Sequence, residues 1–172
     1  MRSYQSGVGM IEILVSLLIL AIGILGFSLL QMRAIEASHE AMSKLQAMNI
    51  ARDLSEKIRT NPKDYQQYQE KINANNQVLN AKPCIQQGNT IPCNQNLDYV
   101  DYDVAQTLKS ANGLGMTIKM PSCFSNNKVT SRRCIYVAWG KTKAIDDFNA
   151  EDACTYGGSY LPKAQCIVME VY

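Results

Sequence analysis

The 172-residue chain has one histidine, His39, and no Cys-x-x-Cys pair among its six cysteines. A Ser-His-Asp or Cys-His site would have to use His39, whose charged neighbours are typical of a solvated helix face. Zinc sites combine cysteine and histidine at short spacings, so the sequence gives poor support for one. The chain also lacks a glycine-rich phosphate-binding loop. The sequence therefore predicts no catalytic residue, no metal and no cofactor.

A strong excess of charge of either sign is also missing. Seventeen Lys and Arg residues oppose fifteen Asp and Glu residues, which leaves a net charge of +2. Proteins bind nucleic acid largely through surplus positive charge that neutralises phosphates. We therefore predict no direct binding to nucleic acid.

Four further groups of residues could carry chemistry, and each has a simpler structural explanation. Asp98, Asp101 and Asp103 lack the spacing of a calcium loop. A second acidic cluster is expected on a solvated loop: Asp146, Asp147, Glu151 and Asp152. The pair Arg132–Arg133 is expected in a loop beside Cys134, and Trp139 in the core of a sheet.

The most informative absence is that of charge from Ile13 to Leu30. These eighteen residues would, as a helix, cross most of a bilayer core. Glu12 stands at the start of the run, and a carboxylate at the centre of a membrane helix costs roughly 2.5–3.5 kcal/mol on insertion scales. A free amino group, created by cleavage after Gly7, would compensate it. Val8 and Glu12 would then be residues one and five of the mature chain.

This arrangement resembles the N-terminal signature of type IV pilins. That signature has a short polar leader with a basic residue, a glycine before the cleavage point, an apolar first residue, a glutamate at mature position five and a long apolar helix. Here the leader is residues 1–7, with Arg2 as its basic residue. Val8, Gly9 and Met10 depart from the residues that are commonest in the family. Within the family, the segment looks most like the minor pilins of the PilV type.

The resemblance implies a processing reaction and a cellular location. A prepilin peptidase is expected to cut between Gly7 and Val8 and to methylate the Val8 amine. Before assembly the chain would span the inner membrane once, with its N-terminus in the cytoplasm and its domain in the periplasm. Afterwards it would belong to an extracellular pilus.

The resemblance also implies partners and a role. The partners are other minor pilins, the major pilin and the pilus assembly platform, and Glu12 is expected to act in docking between subunits. The chain would belong to the initiation or tip complex that primes assembly. Pili of this kind support adhesion, twitching motility or DNA uptake.

All six cysteines follow the apolar segment, which indicates disulfides in an oxidising compartment. We expect pairs of sequence neighbours, because each pair closes a short loop that contains turn-forming residues. The expected pairs are Cys84–Cys93, Cys123–Cys134 and Cys154–Cys166.

One helix is expected from about Val8 to Arg59, because residues 31–59 contain neither proline nor glycine and Asn61–Pro62 then ends it. Its second half is amphipathic and should pack on the remainder of the chain. The expected apolar stripe is Ile35, Met42, Leu45, Met48, Ala51, Leu54 and Ile58.

The remaining elements indicate an α+β chain with the type IV pilin fold, in which an antiparallel sheet packs on the long helix. Two more helices are expected, Pro62–Ile72 and Leu97–Ala111, followed by three strands: Met116–Met120, Cys134–Trp139 and Cys166–Tyr172. The domain plan is a leader (1–7), a membrane-spanning or filament-core half of the helix (8–30), its amphipathic half (31–61) and a periplasmic globular domain (62–172).

Two alternatives share much of this evidence. A minor pseudopilin of a type II secretion system has the same signature, and the neighbouring genes would separate the two. A disulfide-stabilised periplasmic binding domain on a permanent anchor would keep an uncut N-terminus. A secretory signal peptide fits less well, because the apolar run is longer than the usual 7–15 residues.

Overall fold

A computed structural model of the chain describes residues 9–74, 77, 79–81, 84, 93, 96–123 and 133–171. Its elements in chain order are α1 (Met10–Thr60), a 3-10 turn (Pro62–Asp64), α2 (Tyr65–Asn73), α3 (Asn96–Gly113), β1 (Met116–Lys119), β2 (Arg133–Trp139), β3 (Lys143–Asp146), β4 (Ala153–Tyr156), β5 (Ser159–Tyr160) and β6 (Cys166–Val171).

The chain divides into two compact units, residues 1–42 and 43–172. The described part of the first unit is almost entirely the N-terminal portion of α1. The second unit contains the rest of α1 and the other elements. The buried residues of the described chain, from Ala47 onward, all belong to this second unit.

Helix α1 ends at Thr60, one residue beyond the expected end. Pro62 cannot continue the helix, because it has no N–H to donate and its ring crowds the preceding turn. Lys57 and Arg59 lie in the last turn, where positive side chains face the partial negative charge of the helix end. The Thr60 hydroxyl donates to the Lys57 carbonyl oxygen at 2.7 Å.

The domain-facing side of α1 differs from the expected stripe. Ala51, Leu54 and Ile58 are buried as predicted, but Leu45 and Met48 are 59% and 41% exposed. Ile35 and Met42 are also exposed. Repeated steps of three residues advance about 300° each, so the predicted stripe drifts around the helix. The buried face instead follows the 3.6-residue period: Ala47, Ile50, Ala51, Leu54 and Ile58.

The main sheet is antiparallel and has the strand order β1-β2-β6. In its register Met116 lies opposite Trp139, and Ala138 lies opposite Cys166. Alternate residues of β2 point to opposite faces. Ile135, Val137 and Trp139 therefore join one core cluster with the buried face of α1 and with residues of α2 and α3. The predicted α+β architecture, a long helix packed on a small antiparallel sheet, is confirmed.

A second sheet of β3, β4 and β5 was not predicted. Strands β3 and β4 are parallel, and β4 and β5 form a hairpin through Gly157 and Gly158, which have φ angles of 58° and 80°. Two-residue hairpin turns require such positive φ angles, which glycine adopts without strain. These strands were not predicted, because they have only two to four residues and contain few of the β-branched residues that are typical of strands.

Asp146 corrects the expectation that its acidic cluster lies on a solvated loop. Asp146 belongs to β3 and accepts a hydrogen bond from the Thr155 hydroxyl at 3.0 Å. Thr155 is 1% exposed and lies 3.1 Å from the hydroxyl of the buried Tyr136. This polar chain joins the two sheets. Asp152 is also engaged, by Lys143 at 2.8 Å.

Three disulfides close loops between neighbouring cysteines: Cys84–Cys93, Cys123–Cys134 and Cys154–Cys166. The third joins β4 to β6 and hence the second sheet to the main one. Its two cysteines are buried in a second core cluster, with Tyr136, Ala138 and Ala144. A covalent link of this kind favours the folded state mainly by restricting the unfolded chain.

Helix α2 is tied to its neighbours by polar side chains. The buried Tyr68 donates a hydrogen bond to the Asp103 carboxylate of α3 at 2.7 Å. Asn73 bonds both the N–H and the carbonyl oxygen of Met120, at 2.8 and 3.0 Å. Burial, together with the Asp103 carboxylate, raises the pKa of Tyr68 well above its usual value.

Replacing Tyr68 with Phe should lower the free energy of unfolding by about 1.5–3 kcal/mol, the usual worth of a hydrogen bond to a charged group. Because folding raises its pKa, the Tyr68 hydroxyl stabilises the fold below pH 10 and loses that contribution as the pH rises further. Tyr68→Phe should therefore also flatten the loss of stability above pH 10. Urea unfolding between pH 7 and pH 11 measures both effects.

The control is Tyr99→Phe, since Tyr99 is 40% exposed. It should change the stability by no more than about 0.5 kcal/mol at any pH. An equal effect of the two substitutions would show that the Tyr68–Asp103 bond does not contribute in this way.

Candidate assembly site

The N-terminal segment of α1 is apolar around its whole circumference. An eighteen-residue window has a mean hydropathy of 2.8, and none of it is buried inside the protein. Globular domains bury one apolar stripe of a helix, whereas a helix that is apolar all round belongs in a membrane or a large core. The segment is long and apolar enough to cross a membrane.

Individual side chains show how much apolar surface this segment presents. From Met10 to Leu30 the large apolar residues are 50–85% exposed. Each such side chain gains about 1.5–3 kcal/mol when it is fully removed from water. The gain over the whole segment therefore amounts to tens of kcal/mol, which makes water an unsuitable environment. Only lipid or other apolar helices can cover a surface of this kind.

Glu12 lies in the first turn of α1, two residues after the helix begins. Its N–H donates to the Gly9 carbonyl oxygen at 2.9 Å, and the Ser16 hydroxyl donates to the Glu12 carbonyl oxygen at 2.7 Å. The carboxylate is exposed. A negative charge in the first turn is favoured, because the helix N-terminus carries partial positive charge. Glu12 is thus placed at the entry of the apolar segment, while Gly7 and Val8 lie outside the described residues.

The other candidate residues do not form a common site. His39 is exposed on α1, as expected, and Trp139 is 7% exposed in the core. Asp101 pairs with Lys71, and Asp103 accepts the bond from Tyr68, so neither is a free solvated carboxylate. In the described part of the chain, no group of three or more His, Cys, Asp or Glu residues is arranged to hold a metal ion.

Arg133 corrects the expectation that the arginine pair lies in a loop. It opens β2, and its guanidinium lies over the ring of Tyr65, 4.0 Å from the ring centre. This cation–π contact joins the main sheet to α2. Burial raises the pKa of Tyr65, and the charge of Arg133 opposes that rise. Arg132 lies outside the described residues.

Two aromatic side chains that the sequence did not single out are also prominent. Phe148 is 72% exposed and contacts Tyr156, which is 50% exposed. Their positions in the sequence could have indicated them, because Phe148 lies within the acidic cluster and Tyr156 directly precedes the paired glycines of the hairpin.

Comparisons with known proteins extend over residues 2–105 of the chain. The family model for the prokaryotic N-terminal methylation motif matches residues 2–30. The model described as type IV pilin Tt1218 matches residues 29–105. Together they cover the processing signature, helix α1, α2 and half of α3. No curated protein and no solved structure matches.

A chain that begins at Ser43 should form a soluble, monomeric domain, whereas the full-length chain should need detergent. The shortened chain keeps the buried face of α1 and loses the exposed apolar segment. Size-exclusion chromatography and thermal unfolding measure the difference.

A chain that begins at Pro62 is the matched control. It lacks Leu54, Ile50 and Ile58, whose burial contributes about 1.5–3 kcal/mol each. That loss is comparable with the whole stability of a typical domain, about 5–15 kcal/mol. The control should show no cooperative transition. Cooperative unfolding of both chains at one temperature would contradict this account of α1.

Proposed function

The chain belongs to the type IV pilin family, and from this premise we propose that it is a minor subunit of a type IV pilus. In this proposal it is a minor pilin of the PilV type and joins other minor pilins in the initiation or tip complex that primes assembly. The major pilin then adds behind this complex through the assembly platform. The observation that carries the proposal is the exposed apolar segment of α1 that follows Glu12.

The proposed route of the subunit from membrane to filament follows from the environments in which its apolar segment is stable. It first lies in the inner membrane, with the globular domain in the periplasm, where disulfides form. Leaving the membrane would expose the segment to water at a cost of tens of kcal/mol. Extraction is therefore feasible only if apolar helices of other subunits receive it at once. A filament core provides such a set of helices.

Prepilin peptidase would prepare the chain for this transfer. It cuts between Gly7 and Val8 and methylates the new amine, which keeps its positive charge. Cleavage removes Arg2 together with the polar leader.

Replacing Gly7 with Leu should leave the leader attached, because a bulky side chain then occupies the position before the cut. Intact-mass spectrometry of protein from a host with an active prepilin peptidase should find wild type beginning at methylated Val8 and the variant at Met1. Ser6→Leu, one position earlier, is the control and should still be cut. An intact wild-type leader would contradict the processing proposal.

Glu12 would act as the docking group in assembly. Four residues separate it from Val8, which is about one helical turn. Opposite charges 4 Å apart attract by roughly 4 kcal/mol at an effective dielectric constant of 20, and by only about 1 kcal/mol in water. The Val8 amine of one subunit and the Glu12-equivalent carboxylate of a neighbour can thus fix the axial register inside an apolar core.

Glu12→Ala should be cleaved and kept in the membrane as well as wild type but should lose incorporation into pili by at least about tenfold, the equivalent of 1.4 kcal/mol. Immunodetection of the subunit in sheared pili and in membranes gives the ratio for each variant.

Glu36→Gln is the matched control, because Glu36 is an exposed carboxylate further along the same helix. It should be incorporated normally. Wild-type incorporation of Glu12→Ala would show that Glu12 marks the membrane edge and has no docking role.

A further inference from the structure

A pair of exposed aromatic rings lies at the second sheet of the globular unit, on β4 and the connection that precedes it. The ring centres of Phe148 and Tyr156 are 4.6 Å apart and the rings are tilted by 46°, so the two rings form one continuous apolar surface. At 72% and 50% exposure they are among the most exposed aromatic residues of the globular unit. Aromatic residues in contact with water are more typical of binding surfaces than of ordinary surface.

The connection that carries Phe148 is held in one conformation by hydrogen bonds. The Asp147 N–H donates to the Thr155 carbonyl oxygen at 3.1 Å, and the Asn149 N–H donates to the Asp147 side chain at 2.9 Å. The Cys154–Cys166 disulfide and the buried Thr155 hydroxyl anchor the strand beneath. The exposed rings are thus positioned in advance, which reduces the entropy lost on binding.

The same connection carries uncompensated negative charge. Asp147 and Glu151 are exposed, and within the described residues no ion pair engages either of them. Lys143, the cation at the start of β3, is already paired with Asp152. The rings and the two carboxylates therefore lie on one connection, residues 147–151, and the adjacent strand β4.

Charge complementarity decides what this surface fits. Aromatic faces attract cations through the ring quadrupole, and carboxylates attract the same cations. An uncharged sugar could pack on the rings but would leave the two carboxylates without a cation. An anionic lipid surface would be repelled by them. Arginine uses both features, because its planar guanidinium stacks on a ring and donates two hydrogen bonds to a carboxylate. Within this chain, the Arg133 guanidinium already lies over the ring of Tyr65.

We infer that Phe148, Tyr156, Asp147 and Glu151 form a docking surface for an arginine-bearing segment of another protein. We call these four residues the aromatic–acidic patch. The inference goes beyond the proposed role in pilus assembly, and it holds whether or not the chain enters a filament.

The test uses the full-length chain in a non-ionic polyoxyethylene detergent. The probe is a labelled glycine–serine peptide with an arginine on each side of one leucine. A second peptide replaces both arginines with citrulline, which has nearly the same shape and no charge. Fluorescence anisotropy at low and at moderate salt gives the affinity of each peptide.

The arginine peptide should bind, and the citrulline peptide should bind at least about tenfold more weakly. Phe148→Ala should lower the affinity for the arginine peptide by about tenfold, which is the scale of one lost cation–π contact together with its apolar contact area. The double variant Asp147→Asn/Glu151→Gln should also lower the affinity for the arginine peptide, and that affinity should then depend less on salt.

Matched controls remove similar groups elsewhere. Tyr99→Ala removes an exposed ring of α3, and Glu70→Gln removes an exposed carboxylate of α2. Both should bind the peptide like wild type. Circular dichroism verifies the fold of every variant, and Phe148→Leu, which keeps the apolar volume without the ring, should lose binding as Phe148→Ala does.

Three results would overturn the inference. The first is equal binding of the arginine and citrulline peptides, and the second is wild-type binding by both Phe148 variants. The third is binding of an uncharged oligosaccharide, maltoheptaose, in a Phe148-dependent manner when the arginine peptide does not bind, which would assign the surface to sugars.

Discussion

The constraint on which this protein depends is an apolar helical surface that no described part of its own chain covers. From Met10 to Leu30 the side chains of α1 point outward on all sides, and the window of highest hydropathy has no buried residue. Burying such a surface is worth tens of kcal/mol, more than the net stability of a whole domain. The segment must therefore always be surrounded by lipid or by other helices.

The globular unit complements this constraint by holding only the C-terminal part of the same helix. Ala47, Ile50, Ala51, Leu54 and Ile58 enter the main core, and the helix ends just before Pro62. The disulfide between Cys154 and Cys166 and the polar chain through Thr155 then join the second sheet to the first. One continuous helix thus carries the exposed apolar segment and also forms part of a folded core.

The sequence predicted those features that depend on local rules. Asn61–Pro62 marked the end of α1, and the β-branched residues of β2 marked the central strand. The buried face of α1 was only partly predicted, because the three-residue steps from Met42 to Leu54 depart from the helical period of 3.6 residues. The second sheet could not be predicted from the sequence of its short strands. It is stabilised by contacts between residues distant in sequence, namely Thr155 with Tyr136 and Cys154 with Cys166. The assembly signature was recognisable only because Gly7, Val8 and Glu12 occur in one register.

The central claim, that the apolar segment passes from lipid to other pilin helices, can be measured at Phe27. This residue lies in the middle of the apolar surface and is 63% exposed, so the photo-crosslinking residue benzoylphenylalanine can replace it with little change in shape. In membranes of cells without pili, irradiation should attach lipid. In sheared pili it should attach the N-terminal segment of another subunit. Crosslinks to lipid alone in piliated cells, with no chain recovered in the filaments, would contradict the account.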